Sequence, residues 1–454
     1  MFTLAQTKQN QFILTAVKKD HKIKGFEQCQ TPYSIFNYDY NNYVIVMDDK
    51  FDGNEFSRAV IKFLSGQTKN KFDVVMESFI TLVDQENRNK LIAILVDAMY
   101  YACSIPWTKN KNTIKNEPNH TLVVNDTKNS LINESLNIAK DKTYVRQMQD
   151  MPSNLMTPGD FERMARDLLK DTPNVKLTVL DVNELSKKNM NLLLAVGLGA
   201  KKPEDMSRLL IAEYLPNKTD KHIKGFVGKG VCFDTGGLNI KPGIHMRWMK
   251  YDMSGAAIVL GLIHSVAKNN LQKNVIAAMP LVLNLTDGNS YRPDDVIVGH
   301  SGLSVEIDNT DAEGRLILAD SISYLARDLK VSQLYDVATL TGAMIYALGD
   351  TYTGVWSTDD AIYNNVTKAA DLAGELVWRL PFHHDFKDLL KSKYADIANS
   401  VNVPKGGSSQ AAMFLKEFTN DIPYTHFDVA GTADKDNTGT AAMLHTFYNI
   451  VKLG

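Results

Sequence analysis

Asp311 and Glu313 lie one residue apart within NTDAEGR, residues 309–315, and are well placed to do chemistry. Side chains two positions apart in an extended segment point to the same side, so the two carboxylates could hold one cation. Gly314 would let a ligand or backbone approach closely, and Arg315 offers a planar set of donors for an anion. The segment therefore indicates a metal site beside an anion site.

A helix start is the alternative interpretation of the same segment. Thr310 and Glu313 have the spacing of a capping box, in which both side chains satisfy free N–H groups at the first turn of a helix. The apolar run LILA at 316–319 follows directly and fits such a helix. Both interpretations are open at this point, and the rest of the sequence has to distinguish them.

Composition favours a globular protein of two or three domains. The chain has 454 residues, of which 44% are hydrophobic and 22% are charged. These values are typical of globular proteins, which have about 150 residues per domain. Its 50 basic and 52 acidic residues give a net charge of −2, which provides no overall basic field for nucleic acid or an anionic membrane.

Cysteine usage and hydropathy predict the compartment. Cys29, Cys103 and Cys232 are too few and too scattered for a disulfide framework, which fits a reducing environment. The first residues lack a basic segment followed by an apolar run, so no signal peptide is expected. No stretch has the ~18 apolar residues needed to span a bilayer. We therefore expect a cytoplasmic protein without a membrane partner.

Two domains and a connecting helix are predicted. Residues 1–127 have short apolar runs among polar segments and are expected to form a smaller α/β domain. Residues 128–150 have the apolar spacing of a helix and are expected to link the domains. In residues 151–454, strand-like runs alternate with helical patterns, which predicts a mostly parallel sheet flanked by helices.

Within the larger domain, the pattern predicts individual elements. Ligands in such α/β sheets bind at the carboxyl ends of the strands, so the loops after the strands are candidate sites. Strands are expected at 209–212, 275–282, 334–340 and 426–429, and helices near 160–170, 255–268, 315–328 and 409–420.

Two further carboxylates follow apolar segments of this domain. Asp234 lies in VGKGVCFDTGGLNIKP (227–242), and Asp252 lies in MKYDMSGAA (249–257). With the two carboxylates of the first segment they make four, and such oxygen ligands suit hard or borderline divalent metals. Four negative charges balance two divalent cations, whereas one cation would leave an excess of charge. The count therefore favours a two-metal site.

Motifs of several other enzyme classes are absent. Gly228-Lys229-Gly230 begins like a dinucleotide-binding fingerprint, but Phe233 stands where the third glycine belongs. The sequence has no Walker A motif, no His-Glu-x-x-His zinc motif and no Gly-x-Ser-x-Gly nucleophile elbow.

The three quoted segments resemble signature sequences of the leucyl aminopeptidase family of di-metal exopeptidases. The resemblance extends from roughly residue 150 to the C-terminus. The order and spacing of the three segments are far more specific than one motif alone. It implies an enzyme that releases N-terminal amino acids, preferably apolar and leucine-like, from short peptides. Further similar segments are YRPDDV (291–296), ATLTGAM (338–344), GGSSQAAMFLKEF (406–418) and HFDVAGTA (426–433).

The resemblance also implies a set of metal ligands. Lys229, Asp234, Asp252 and Glu313 would surround one metal, and Asp234, Asp311 and Glu313 the second. A neutral amine at Lys229 is consistent with this role, because neighbouring dications and burial both lower a lysine's pKa. An ordinary salt bridge is the alternative for this lysine. Zinc, manganese, magnesium or cobalt would suit these ligands.

Catalytic and substrate-binding roles are implied in the same way. Lys241 corresponds to the lysine that stabilises the tetrahedral intermediate, and Arg315 to the arginine that holds bicarbonate near the attacking water. Ser254 stands where the family usually has glycine, and Lys250-Tyr251 where it usually has Arg-Ala. The residues implied to bind the substrate's N-terminal residue are Met249, Thr339, Leu340, Gly342, Ala430 and Ala433.

Family members form homohexamers, so the resemblance implies that assembly here. Some relatives also bind DNA, and the lysine-bearing segments 18–24 and 109–115 could contact phosphate. The net charge and the lack of a nucleic-acid motif argue against this partner. A catalytically inactive homologue is a third possibility, but every ligand position is filled, which argues against it.

Overall fold

A computed structural model describes residues 2–21, 31–67, 69–110, 119–401, 403 and 405–454. Its internal contacts divide the chain into two compact units, Met1–Thr143 with Lys368–Leu376, and Tyr144–Thr367 with Val377–Gly454. The predicted boundaries at 127 and 150, and the linker role of 128–150, stay predictions. Cys29, residues 22–24 and residues 111–115 of the lysine-bearing segments lie outside the described residues.

The smaller unit contains a six-stranded sheet among its described residues, in the order β1-β6-β5-β2-β4-β3. Its pairs are parallel except for β3 with β4. The strands are β1 Thr3–Ala5, β2 Phe12–Lys18, β3 Ile35–Asp39, β4 Asn42–Met47, β5 Phe72–Val75 and β6 Thr121–Val123, and the helices are α1 Gly53–Ser65, α2 Met76–Ile80 and α3 Gln85–Cys103.

The larger unit begins within α4, Ser130–Asp150, and holds most of the secondary structure. Its helices are α5 Pro158–Leu169, α6 Val182–Lys187, α7 Asn191–Val196, α8 Ser254–Lys268, α9 Gly314–Arg327, α10 Gly342–Leu348, α11 Asp360–Ala373 (which crosses a unit boundary), α12 His384–Asp388, α13 Gly407–Lys416 and α14 Leu444–Leu453. Its strands are β7 Val175–Leu180, β8 Arg208–Tyr214, β9 Ile223–Gly228, β10 Gly230–Asp234, β11 Asn274–Asn284, β12 Val296–Val298, β13 Ser304–Glu306, β14 Gln333–Ala338, β15 Thr353–Ser357, β16 Val377–Arg379, β17 Ile397–Ala398, β18 Tyr424–Asp428, β19 Asp434–Lys435 and β20 Thr438–Gly439.

A mixed sheet with a parallel centre organises this unit. Eight of its described strands follow the order β16-β15-β18-β14-β9-β11-β8-β7, and β10 pairs with β11. The pairs among β18, β14, β9, β11 and β10 are parallel. At one side of the sheet β8 pairs antiparallel with both β11 and β7, and at the other side β15 pairs antiparallel with β18. The prediction of a mostly parallel sheet flanked by helices is confirmed.

Both faces of the parallel centre are covered by other elements. Every residue of β11 is buried, as expected of a strand covered by other elements on both faces. Helix α8 is apolar around most of its circumference and contacts β9, β11 and α14, so it is enclosed on both sides.

No helix among the described residues is long and apolar enough to cross a membrane.

Glycines let α8 begin directly against the ends of two central strands. A Cβ atom on Gly255 would lie 2.1 Å from the carbonyl oxygen of Val337, and one on Gly228 would lie 2.2 Å from the carbonyl oxygen of Gly255. The N–H of Lys229 donates to Val337 (3.0 Å), and the carbonyl of Lys229 accepts from Ala256 (2.8 Å). This close approach fixes the backbone from which Lys229 projects.

We predict that Gly255→Ala destabilises the protein by about 1–3 kcal/mol, because the added methyl overlaps backbone that cannot rotate away. Chemical denaturation should show a lower midpoint for this variant. Gly288→Ala is the matched control, since a Cβ at Gly288 meets nothing within 4 Å, and its midpoint should stay close to that of the parent. Equal midpoints for the two variants would contradict the close-packing argument.

Candidate metal centre

Three buried carboxylates converge in the larger unit. One oxygen from each of Asp234, Asp252 and Glu313 lies within 4.8 Å of the other two. Asp311 is more exposed and is connected to them through Lys241, whose Nζ lies 2.7 Å from Asp234 Oδ2 and 2.6 Å from Asp311 Oδ1. The structure thus brings together the four carboxylates that the sequence singled out.

Lys229 occupies the opposite side of the cluster. Its Nζ lies 2.8 Å from Asp252 Oδ1 and 2.9 Å from Glu313 Oε1, and it donates to the carbonyl of Thr339 at 2.9 Å. A Cβ on Gly314 would lie 2.5 Å from Lys229 Cε, so a glycine at the start of α9 is required beside this side chain. Four carboxylates therefore surround two ammonium groups.

The pKa shifts reflect this crowding. Burial raises the pKa of Asp252 well above its ordinary value; Lys229 opposes the rise, and the neighbouring carboxylates of Glu313 and Asp234 add to it. Burial also raises the pKa of Asp311, and Glu313 contributes further. Burial lowers the pKa of Lys229, but Asp252 and Glu313 outweigh burial and raise it above its ordinary value. The two lysines thus compensate the carboxylates incompletely.

The donor set fits divalent cations. Asp252 Oδ2 and Glu313 Oε2 are buried and have no hydrogen-bond partner among the described residues. A buried carboxylate oxygen without a partner is costly, and a cation would satisfy both. Carboxylate oxygens with one amine also match the ligand preferences of zinc and manganese.

A glycine turn holds Asp234. Its Oδ1 accepts hydrogen bonds from the backbone N–H of Gly236 and from Asn284 Nδ2, both at 2.8 Å. Gly236 and the following Gly237 have φ values of +87° and +64°, a conformation that glycine adopts readily. The turn after β10 therefore presents the other carboxylate oxygen to the cluster.

Thr310 does not cap α9, so the capping-box interpretation is wrong. The N-cap of α9 is Glu313, and no side chain caps this helix start. The hydroxyl of Thr310 instead donates to the carbonyl of Gly236 (2.6 Å) and accepts from the N–H of Asn239 (2.8 Å). Thr310 therefore joins the two loops that carry the carboxylates.

Asn399 is a site residue that the sequence analysis missed. Its Oδ1 accepts from the N–H groups of Asp308 (2.8 Å) and Asn309 (3.2 Å), and its Nδ2 donates to the carbonyl of Asn309 (2.7 Å). Its own carbonyl accepts from Arg315 Nη1 at 2.7 Å. One fully buried side chain thus holds the loop that carries Asp311.

Arg315 is buried with spare donors. Only 8% of the residue is exposed, and its Nε is buried without a hydrogen-bond partner among the residues described. Burial lowers the pKa of Arg315 to about 10, so the guanidinium stays charged at neutral pH. A buried cation with unused N–H groups suits a small anion.

A cavity of about 470 Å³ opens onto the cluster, within the range of small-molecule sites. Arg315 and the buried Ala433 are not among the residues that line it. The remaining predicted residues do line it: Lys229, Asp234, Lys241, Met249, Asp252, Asp311, Glu313, Thr339, Leu340, Gly342 and Ala430. Lining residues that were not predicted are Pro242, His245, Trp248, Tyr251, Thr341, Ile345 and Asp434.

Asp428, the last residue of β18, ties two walls of this cavity together. Its Oδ1 accepts from the N–H groups of Leu340 (3.2 Å) and Ala430 (3.0 Å). Its Oδ2 accepts from the hydroxyl of Thr341 at 2.7 Å. Because Leu340, Thr341 and Ala430 line the cavity, this buried carboxylate fixes the shape of the cavity without lining it.

We predict that Asn399→Ala lowers the affinity of the metal-stripped protein for Zn²⁺ or Mn²⁺ by about 10–100-fold, the usual effect of losing a partner that orients metal ligands. Calorimetric titration would measure the affinity. Asn217→Ala is a suitable control, because Asn217 orders its own loop by accepting from Thr219 and Asp220, in the turn before β9. If Asn399→Ala only lowered the thermal midpoint and left the affinity intact, the assignment would fail.

Comparison with known proteins finds relatives that are similar over most of this chain. A "Probable cytosol aminopeptidase" of Mycoplasma pneumoniae is 43% identical over 403 residues, which are 87% of this chain and 87% of that protein. The "Cytosol aminopeptidase" of Encephalitozoon cuniculi is 40% identical over 325 residues, covering 71% of this chain and 66% of that protein.

A solved structure shares the fold over the whole chain. The bottromycin maturation enzyme BotP in complex with Mn superposes with a TM-score of 0.84 at 25% identity, covering 98% of this chain and 99% of that chain. Residues 143–448 also match the sequence profile of the cytosol aminopeptidase family, catalytic domain. The chain therefore belongs to the cytosol aminopeptidase family and is a metal-dependent peptide hydrolase.

Proposed function

We propose that this chain releases N-terminal amino acids, preferably leucine-like and apolar ones, from short peptides at a two-metal site. The observation that carries the proposal is the buried cluster of Asp234, Asp252 and Glu313 beside Lys229, at the wall of a cavity of about 470 Å³. A cavity of this size admits the end of a peptide, and bound cations would balance the charge of the buried carboxylates.

Two divalent cations per chain are proposed. Asp234, Asp252 and Glu313 would hold one, together with Lys229 once the incoming cation has displaced the proton of its ammonium group. Asp234, Glu313 and Asp311 would hold the second. Two buried carboxylate oxygens without partners support the binding of cations, and the four carboxylates together balance the charge of two divalent cations. Zinc or manganese is proposed first, because BotP was solved with Mn; magnesium and cobalt would also suit the ligands.

The chain's own residues supply the rest of the chemistry. When bound, the cations provide a water of lowered pKa and polarise the scissile carbonyl. Lys241 lines the cavity, and its Nζ lies 2.7 Å from Asp234 Oδ2 and 2.6 Å from Asp311 Oδ1. From the cavity wall it would donate to a developing oxyanion. Arg315 would hold bicarbonate with its spare N–H groups, and bicarbonate would supply a proton acceptor near the water.

The substrate side chain is proposed to bind against Met249, Thr339, Leu340, Gly342 and Ala430. Ala433, which the resemblance also implied, is buried and does not line the cavity. The first five line the cavity, and Asp428 fixes the loop positions of Leu340 and Ala430. A cytoplasmic location and a homohexamer are also proposed. Support for the location comes from the family name, and support for the hexamer comes from the resemblance described above.

We predict that metal-stripped protein is inactive and that hydrolysis of leucinamide returns with Zn²⁺ or Mn²⁺, because the carboxylates alone provide no activated water. Release of ammonia measures the reaction across a panel of aminoacyl amides. N-acetyl-leucinamide is the control substrate, since it lacks the free amine that an aminopeptidase requires. Equal cleavage of the acetylated compound, or full activity without metal, would refute the proposal.

We predict that Lys241→Ala lowers kcat for leucinamide by roughly 10²–10³-fold, the usual effect of removing a donor to the transition state. Metal content should not fall, because removing a cation from beside Asp234 and Asp311 leaves the site more negative. Metal analysis would accompany the kinetics. Lys201→Ala removes a mostly exposed lysine that pairs with Asp287 and serves as control. Unchanged kcat would disprove the role of Lys241.

A further inference from the structure

The wall of the cavity carries a fifth carboxylate, Asp434, which the mechanism does not use. Lys229 and Lys241, two other lining residues, are each engaged with two carboxylates of the metal cluster. The side chain of Asp434 forms no ion pair or hydrogen bond within the part of the chain that the structure describes. It is half-buried, so water solvates it incompletely.

The backbone of Asp434 is held firmly. Asp434 opens strand β19 and pairs with Gly439 of β20. The hydroxyl of Tyr251 donates to the carbonyl of Asn437 at 2.5 Å, and the N–H of Gly439 donates to Asp150 Oδ1 at 2.7 Å. The turn and the second strand of the hairpin are thus tied to other elements, and the pairing of Asp434 with Gly439 holds Asp434 against them.

Lys250, the cation that most lowers the pKa of Asp434, interacts with other groups. Lys250 Nζ donates to the carbonyl of Asp150 at 2.7 Å and lies 4.8 Å from the ring centroid of Tyr251. Burial raises the pKa of Asp434, Asp150 raises it further, and Lys250 only offsets part of the rise. The wall therefore presents a carboxylate that forms no ion pair with the described residues and whose charge Lys250 offsets only in part.

We propose that Asp434 makes the cavity selective for charge, so that it accepts N-terminal lysine or arginine together with apolar residues and disfavours N-terminal aspartate or glutamate. This inference rests on the proposed aminopeptidase function. Met249 and Ala430 offer apolar surface for the methylene stem of a lysine. Its ammonium group would form a charge-assisted pair with Asp434, whereas an acidic side chain would be repelled.

Asp434→Asn tests the proposal in the full-length, metal-restored protein. The specificity constants kcat/KM are measured for lysinamide, leucinamide and the α-amide of glutamic acid. The lysine-to-leucine ratio should fall roughly tenfold, about 1.4 kcal/mol, and the glutamate-to-leucine ratio should rise. Asp434→Lys should reverse the preference between lysine and glutamate. If the ratios of Asp434→Asn stay within about twofold of the parent, the proposal is wrong.

Asp350→Asn is the matched control. Asp350 is exposed and lies 3.5 Å from Lys435, the neighbour of Asp434, but it does not line the cavity. Its removal changes the charge near the same hairpin by the same amount, so it should leave the three ratios as they are. A similar change of ratios in both variants would mean a general effect of charge and would overturn the proposal.

Binding of amino alcohols separates this inference from the proposed reaction. Lysinol and leucinol carry the free amine and the side chain but no scissile bond, so calorimetry can compare their affinities without turnover. Tighter relative binding of lysinol that is lost in Asp434→Asn would support charge selectivity even if no amide is hydrolysed. If leucinamide is hydrolysed and the affinity for lysinol is unchanged in Asp434→Asn, the proposed function stands and the inference is overturned.

Discussion

The crowding of four carboxylates around two lysines is the constraint on which the larger unit depends. Removing each charge from water costs several kcal/mol even after the surroundings relax, and four negative charges against two positive ones leave an excess of two. The raised pKa values of Asp252 and Asp311 are direct consequences. Such a cluster would spread apart unless the surrounding chain resisted it, and bound cations would relieve the same repulsion.

The resistance comes from neutral groups on distant elements. Asn284 at the end of β11 donates to Asp234, Asn399 holds the loop before α9, and Thr310 joins that loop to the turn after β10. Each bond satisfies a buried polar group while adding no further charge. The glycines at 228 and 255 allow the strand and helix backbones to approach closely enough for the backbone hydrogen bonds of Lys229. Neutral residues therefore position the site, whereas the carboxylates and the two lysines carry its charge.

This division explains what could be predicted from the sequence. Helix α8 was expected at 255–268 and spans Ser254–Lys268, because the apolar period of a helix is a local signal. The carboxylates were found because their own segments carry the pattern. Asn399 leaves no such signal, and Asp428 lies in the quoted segment HFDVAGTA but received no role there. Each binds residues more than 80 positions earlier in the chain, which a local pattern does not reveal. Thr310 has a local capping pattern, but a tertiary partner takes its hydroxyl instead.

The same charge balance bears on what the cavity selects. Before metals bind, the cluster and Asp434 together give the cavity a negative field that attracts any cation. Two divalent cations would more than offset the excess of two negative charges in the cluster, but the carboxylate of Asp434, which belongs to a separate hairpin, is not among the proposed ligands. Asp434 would then be the carboxylate on the cavity wall that binds no metal. Discrimination between side-chain charges would accordingly be a property of the metal-loaded protein, and the empty cluster would mask it.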